Sequence, residues 1–157
     1  MITEVNFDVL EIPVGAVFHC CNCFNTMGAG VALSVKSKYP EAFGADSRTV
    51  CGDKGKLGKF SSAKTKDEKM IYNLYGQYHY GSFARNSRQL NYEAFYQSIE
   101  LAQKDTIQLG IKKVAIPYKI GCSLAGGEWK IVRSIFEYFF EDSSHSQMAQ
   151  DLFVCKL

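Results

Sequence analysis

Nowhere in the 157 residues do 18 apolar residues run together, and the opening segment MITEVNFDVLEIP has neither a basic start nor an apolar stretch. No membrane-spanning helix and no secretory signal are therefore expected, and the sequence predicts an unexported, cytoplasmic protein with no membrane partner. Excess charge is also lacking. Eighteen Lys and Arg stand against 16 Asp and Glu, a net charge of +2 that is too small to demand a polyanionic partner. Repeats, low-complexity stretches and long linkers are absent, so one domain over residues 1–157, working as a monomer, is expected.

Several sites are missing as well. Gly28-Ala29-Gly30 is followed three residues later by Leu33, so the third glycine of a dinucleotide fingerprint is not there. Gly55-Lys56 lacks both the upstream glycine and the hydroxyl residue of a phosphate-binding P-loop, and Lys54, Lys56 and Lys59 read as a solvated turn. No Cys is followed six residues on by Arg, and no Asp-x-Asp occurs, which removes a thiolate phosphatase loop and a two-metal hydrolase. The six cysteines have no zinc-finger spacing and, without a signal peptide, read as reduced thiols. Cys20 and Cys23 match C-x-x-C, which leaves a metal or redox site open beside the plainer reading of small apolar residues in a buried strand.

What is present is ordinary globular composition, 46% hydrophobic and 22% charged. Val5 to Val9, Ala16 to Cys21, Met70 to Leu74, Val114 to Pro117 and Asp151 to Leu157 read as strands. Tyr92, Phe95, Tyr96, Ile99 and Ala102 form a helical stripe between Asn91 as N-cap and Gly110 as stop, and Val132, Ile135, Phe136, Phe139 and Phe140 form another. Alternation of strands and helices predicts an α/β layered domain whose ligands bind beyond the carboxyl ends of the strands.

Two strand-to-helix connections there are rich in glycine: Asn22 to Ala32, leading into a helix through Lys38, and Tyr118 to Trp129. Glycines let backbone N–H groups converge on an anion, and a helix N-terminus adds partial positive charge, so two such loops suit a diphosphate. His19, at the end of the second strand, is either a satisfied core histidine or a proton carrier at a phosphate-binding mouth. His79 and His145 have no comparable setting. Cys21 shares the His19 face of the strand and Cys20 takes the other, and no Cys–His nucleophile pair is expected from residues two apart.

The segment from His19 to Ala32, with Ile120-Gly121-Cys122-Ser123-Leu124-Ala125-Gly126-Gly127-Glu128-Trp129 a hundred residues later, resembles the macro domain family. More narrowly it is similar to the branch of ADP-ribose-1″-phosphate phosphatases and terminal ADP-ribose glycohydrolases. The resemblance runs from Phe7-Asp8-Val9 to Phe153-Val154-Cys155-Lys156-Leu157. It implies a three-layer α/β/α sandwich around a mixed central sheet, with ADP-ribose across the sheet crest and no cofactor or metal.

Carried over by position, Asp8 and Val9 would read adenine and Asn25 would lie beside the distal ribose. His19, with Asn25, would carry the chemistry. Asn22, Gly28, Gly30 and Val31 of the first loop and Ile120, Gly121, Cys122, Ser123, Leu124, Ala125 and Gly126 of the second would hold the ligand, with Gly126 letting the backbone approach the diphosphate. Three functions follow: hydrolysis of ADP-ribose 1″-phosphate by a metal-independent phosphatase, recognition of ADP-ribose without turnover, or removal of ADP-ribose from a modified protein or nucleic acid. Departures from the family pattern bear on the last. Asn73 to Tyr78 contains no lysine where the glycohydrolases carry their nucleophile, and Ala125 stands at the acidic position of the second loop, leaving Glu128 as the nearest carboxylate. Cys155 stands where some relatives stack an aromatic on adenine, so Tyr118 or Tyr80 would have to supply that platform.

Overall fold

A computed structural model describes residues 1–80, 88–142 and 149–157, and His145 lies outside them. The described chain runs β1 (Ile2–Val5), β2 (Ala16–Cys21), α1 (Gly30–Lys38), α2 (Pro40–Ser47), β3 (Phe60–Lys64), β4 (Met70–Tyr75), α3 (Tyr92–Gln108), β5 (Lys113–Pro117), α4 (Trp129–Phe140) and β6 (Asp151–Cys155). The strands form one sheet in the order β1-β6-β5-β2-β4-β3. All neighbours are parallel except β3, which pairs antiparallel with β4. The sheet is therefore mixed, as the resemblance implied.

Strand alternation sorts the core into two halves. Phe18, Tyr72, Leu74, Val114, Ile116 and Leu152 face α3 and α4, packing on Phe95, Ile99, Val132 and Phe136. Val17, Cys21, Ile71, Tyr75 and Ala115 face α1 and α2, packing on Val35 and Ala42. Helices on both faces complete the three layers. On α4 the fully covered Val132 and Phe136 each contribute about 1.5–3 kcal/mol by leaving water. α3 starts where Asn91 accepts a hydrogen bond from the Ala94 N–H through its side chain, and it stops at Gly110, whose φ of +75° suits a residue without Cβ.

The first strand is displaced from its expected place. It occupies Ile2–Val5 because Asp8 turns the chain: its side chain accepts from the Leu10 N–H, and its carbonyl accepts from the N–H groups of Glu11 and Ile12. β3 and α2 are additional elements. β3 reads Phe-Ser-Ser-Ala-Lys at an edge of the sheet, without an apolar alternation, and α2 begins with Pro40 at its first position, where a missing N–H costs nothing.

Candidate functional site

β2 is central, and the chain leaves it to β4 on one side and β5 on the other, which opens a crevice at the carboxyl ends of the parallel strands. A cavity of about 490 Å³ lies there. Its walls are the two glycine loops, and its floor includes His19, Cys21 and Asp46.

The first loop is a scaffold of side-chain hydrogen bonds. Asn22 donates to Thr26 Oγ1 (2.7 Å) and accepts from the Phe24 N–H (2.8 Å). Asn25, at φ +57°, donates to the Thr49 carbonyl (2.9 Å) and accepts from the Lys56 ammonium (2.6 Å), which also donates to the Cys23 carbonyl (3.1 Å). Lys56 is thus buried beneath the loop and not part of a solvated turn. α1 follows with neither a side-chain cap nor an acidic residue in its first turn. The N–H groups from Gly28 to Ala32, all in cavity-lining residues, have no partner among the described residues.

Backbone turns shape the second loop. Ile120 and Cys122 donate to the carbonyls of Pro117 and Lys119, Gly126 to Ser123, and Gly127 to Gly121. The N–H groups of Gly121, Ser123, Leu124 and Ala125 are left without a partner among the described residues. All four residues line the cavity. Two rows of open donors thus border one space, an arrangement suited to an extended anion.

Of the residues proposed from sequence, His19, Asn22, Gly28, Gly30, Val31, Ile120, Gly121, Ser123, Leu124 and Ala125 meet in this lining, and Asn25, Asp8, Val9, Cys122 and Gly126 do not. Asn25 spends its amide on Thr49 and Lys56. Gly126 makes a turn, its φ of +78° requiring a residue without Cβ. Asp8 is exposed and Val9 buried in the core. Cys122 bonds its own loop at the Ile120 carbonyl, and burial pushes its thiol up to about 11. Tyr118 and Tyr80 both line the cavity; Tyr118 packs edge-on against Trp129, 5.5 Å between ring centroids. Cys155 is buried.

His19 is only 1% exposed and its Nε2 lies 2.6 Å from Asn73 Oδ1. The Asn73 amide nitrogen donates to the Ala42 carbonyl, which fixes its orientation, so His19 Nε2 carries the proton. Burial lowers the histidine to about 4, against the pull of Asn73, and the ring is neutral at pH 7. Its face is shared by Cys21, whose Sγ lies 3.7 Å from both ring nitrogens. Sequence had led us to expect no nucleophile pair from these two; burial pushes the Cys21 thiol well above its ordinary range, which keeps it protonated beside the ring. Cys20 is likewise pushed up to about 12 and Cys23 to about 11, chiefly by burial, and both are free thiols. These are poor nucleophiles and poor metal ligands at neutral pH. Among the described residues no three His, Cys, Asp or Glu side chains are placed to hold a metal.

Sequence reasoning missed Asp46, Gln77 and Lys119, which also line the cavity. Lys119 directly follows Tyr118 at φ +58° and could have been read from its place in the loop. Gln77 occupies the stretch after β4 and donates to the His79 carbonyl.

The macro domain family model matches residues 18–136 of this chain, from β2 through most of α4. The chain belongs to the macro domain family. A human (Homo sapiens) relative named ADP-ribose glycohydrolase OARD1 is 27% identical over 141 residues, covering 89% of this macro domain and 84% of the relative. A relative from Ajellomyces capsulatus named ADP-ribose 1″-phosphate phosphatase is 43% identical over 44 residues, covering 27% of this chain and 17% of its own. Among solved structures, the macrodomain of Mycobacterium tuberculosis DarG superposes with a TM-score of 0.76 at 25% identity, covering 100% of this chain and 99% of that one.

Proposed function

We propose that this macro domain binds ADP-ribose between its two glycine loops and hydrolyses ADP-ribose 1″-phosphate to ADP-ribose and phosphate. The observation that carries the reading is the pair of open N–H rows, Gly28 to Ala32 and Gly121 with Ser123 to Ala125, in one cavity. Such donors neutralise a diphosphate without a metal, and they stabilise charge developing on a transferring phosphoryl group. Tyr118 and Tyr80 offer π faces to a base. Asn22, which lines the cavity, is better placed than Asn25 to meet the distal sugar. In the reaction, the oxygen of a water molecule bonds phosphorus as the bond from phosphorus to the C1″ oxygen breaks, and the proton that the water gives up ends on that departing oxygen. His19 can take part only through Nδ1, because Nε2–H is committed to Asn73.

That commitment favours a second reading, recognition of ADP-ribose without turnover. Removal of ADP-ribose from macromolecules draws support from the long alignment with the human relative named ADP-ribose glycohydrolase OARD1. However, Asn73 to Tyr78 holds no lysine where the resemblance puts one, and Ala125 stands at its acidic position. Incubation with ADP-ribose 1″-phosphate, with phosphate release followed beside calorimetric binding of ADP-ribose, separates the readings. Binding together with release is expected. Binding alone leaves a reader, and absence of binding removes the ligand.

A further inference from the structure

Beneath the first loop, four side chains donate hydrogen bonds in one direction. His19 Nε2–H donates to Asn73 Oδ1, and the Asn73 amide donates to Ser61 Oγ (3.0 Å). Ser61 and the Tyr75 hydroxyl are 2.7 Å apart, and Tyr75 lies 2.6 Å from Asp46 Oδ1. Because Asp46 offers Tyr75 a carboxyl acceptor, Tyr75 donates to it, and Ser61 therefore donates to Tyr75. The series ends on Asp46, and donors in series polarise one another toward that end.

Asp46 is 1% exposed, lines the cavity floor, and its Oδ2 is a buried oxygen with no hydrogen-bond partner among the described residues. An orphaned carboxyl oxygen is expensive to keep in a folded core and calls for a purpose. Its surroundings name the complement. The Tyr75 hydroxyl of β4 already occupies Oδ1, the Lys56 ammonium lies on the side of the 3₁₀ turn Lys54–Lys56, and the Cys21 and Cys23 thiols lie on β2 and its loop. None of these reaches Oδ2. A phosphate is repelled by a carboxylate and is served by the N–H rows above, so the group that fits the floor is a neutral hydroxyl donor.

We propose that Asp46 Oδ2 is the floor contact for the distal ribose, accepting a hydrogen bond from one of its hydroxyl groups and so selecting ADP-ribose over ADP. This rests on the ADP-ribose reading and adds a positioning residue to it. Accepting a hydroxyl favours the ionised carboxyl. Burial raises Asp46 above the usual carboxylate range, so affinity for ADP-ribose falls as pH drops through that raised value.

The test compares ADP-ribose with ADP, which lacks the distal ribose, on the parent and on Asp46→Asn, which can still accept from Tyr75. Expected are a loss of at least about 10-fold in ADP-ribose affinity, ADP affinity within about twofold, and a Tm close to the parent's, because the bond from the Tyr75 hydroxyl is kept. The parent should also lose ADP-ribose affinity as pH falls through the raised range of Asp46, and the variant should respond less. Unchanged ADP-ribose affinity in the variant, or equal losses for both ligands with a lowered Tm, overturns the proposal while leaving the ADP-ribose reading intact. If Asp46→Asn does not fold, a parent whose affinity is independent of pH overturns it alone. A parent that binds neither ligand overturns both readings.

Discussion

The two glycine loops present the same chemistry to one cavity but are built in different ways. The first is braced from below by polar side chains: Asn22 on Thr26, Asn25 on Thr49, and Lys56 on both Asn25 and the Cys23 carbonyl. Beneath it lies the donor series from His19 to Asp46. The second is folded by its own backbone turns and by close packing, with Gly121 and Gly127 lying against Leu90. In one, ionisable and amide groups set the geometry; in the other, the absence of side chains does. A substitution that adds volume should therefore injure the second loop, and a change of charge the first.

Gly127→Ala should have the largest effect. Its Cβ would lie 2.4 Å from Leu90 Cδ2 and 2.7 Å from the Gly121 carbonyl oxygen, and the latter is backbone of the loop itself. A cost of about 1–3 kcal/mol in stability and loss of ADP-ribose binding by about 100-fold or more are expected, read by thermal melting and calorimetry. Gly28→Ala is the matched change in the first loop, where the new Cβ would meet only the Thr26 carbonyl at 3.9 Å. Its stability should stay within about 0.5 kcal/mol of the parent. Equal damage from both would erase the contrast.

Acid should act on the first loop. In the unfolded chain His19 takes a proton near its ordinary 6.5, but in the folded protein only near 4. Between those values the unfolded chain holds more protons, so stability falls as pH falls and this contribution, about 3 kcal/mol, is spent by pH 4. Denaturation of the parent and of His19→Gln across that window should differ in slope, and parallel curves would show the ring to be unperturbed.

Lys56→Met should cost less, about 1.5–3 kcal/mol, the range for hydrogen bonds to a charged group. The methionine retains most of the apolar stem while the Cys23 carbonyl and Asn25 lose their donor. Urea titration measures the loss, and a stability equal to the parent's would mean the ammonium braces nothing.

Sequence carried the parts of the molecule that repeat. The apolar run of β2 matched its observed bounds, and the stripes of α3 and α4 mark helices because one face of each is buried. The glycine loops were legible because positive φ and open N–H groups leave a compositional trace. β3 left none, being a half-buried edge strand of small polar residues. Asp46 and Lys56 were opaque for another reason. A polar residue in a helix or a turn reads as solvated, and only the tertiary packing of α2 and the 3₁₀ turn against β2 and β4 puts them inside. The bracing of Asn25 was opaque for the same reason, since its partners Thr49 and Lys56 lie far along the chain.

The sheet order also sets a schedule. β1 forms the edge of the sheet and pairs with β6, Val5 meeting Cys155. At about 5–20 residues per second, translation brings the partner out roughly 7–30 s after β1 itself has emerged. The cavity-bearing strands β2 and β4 meet much earlier, so on the ribosome the cradle can take shape while the opposite edge of the sheet still waits to be closed by β6.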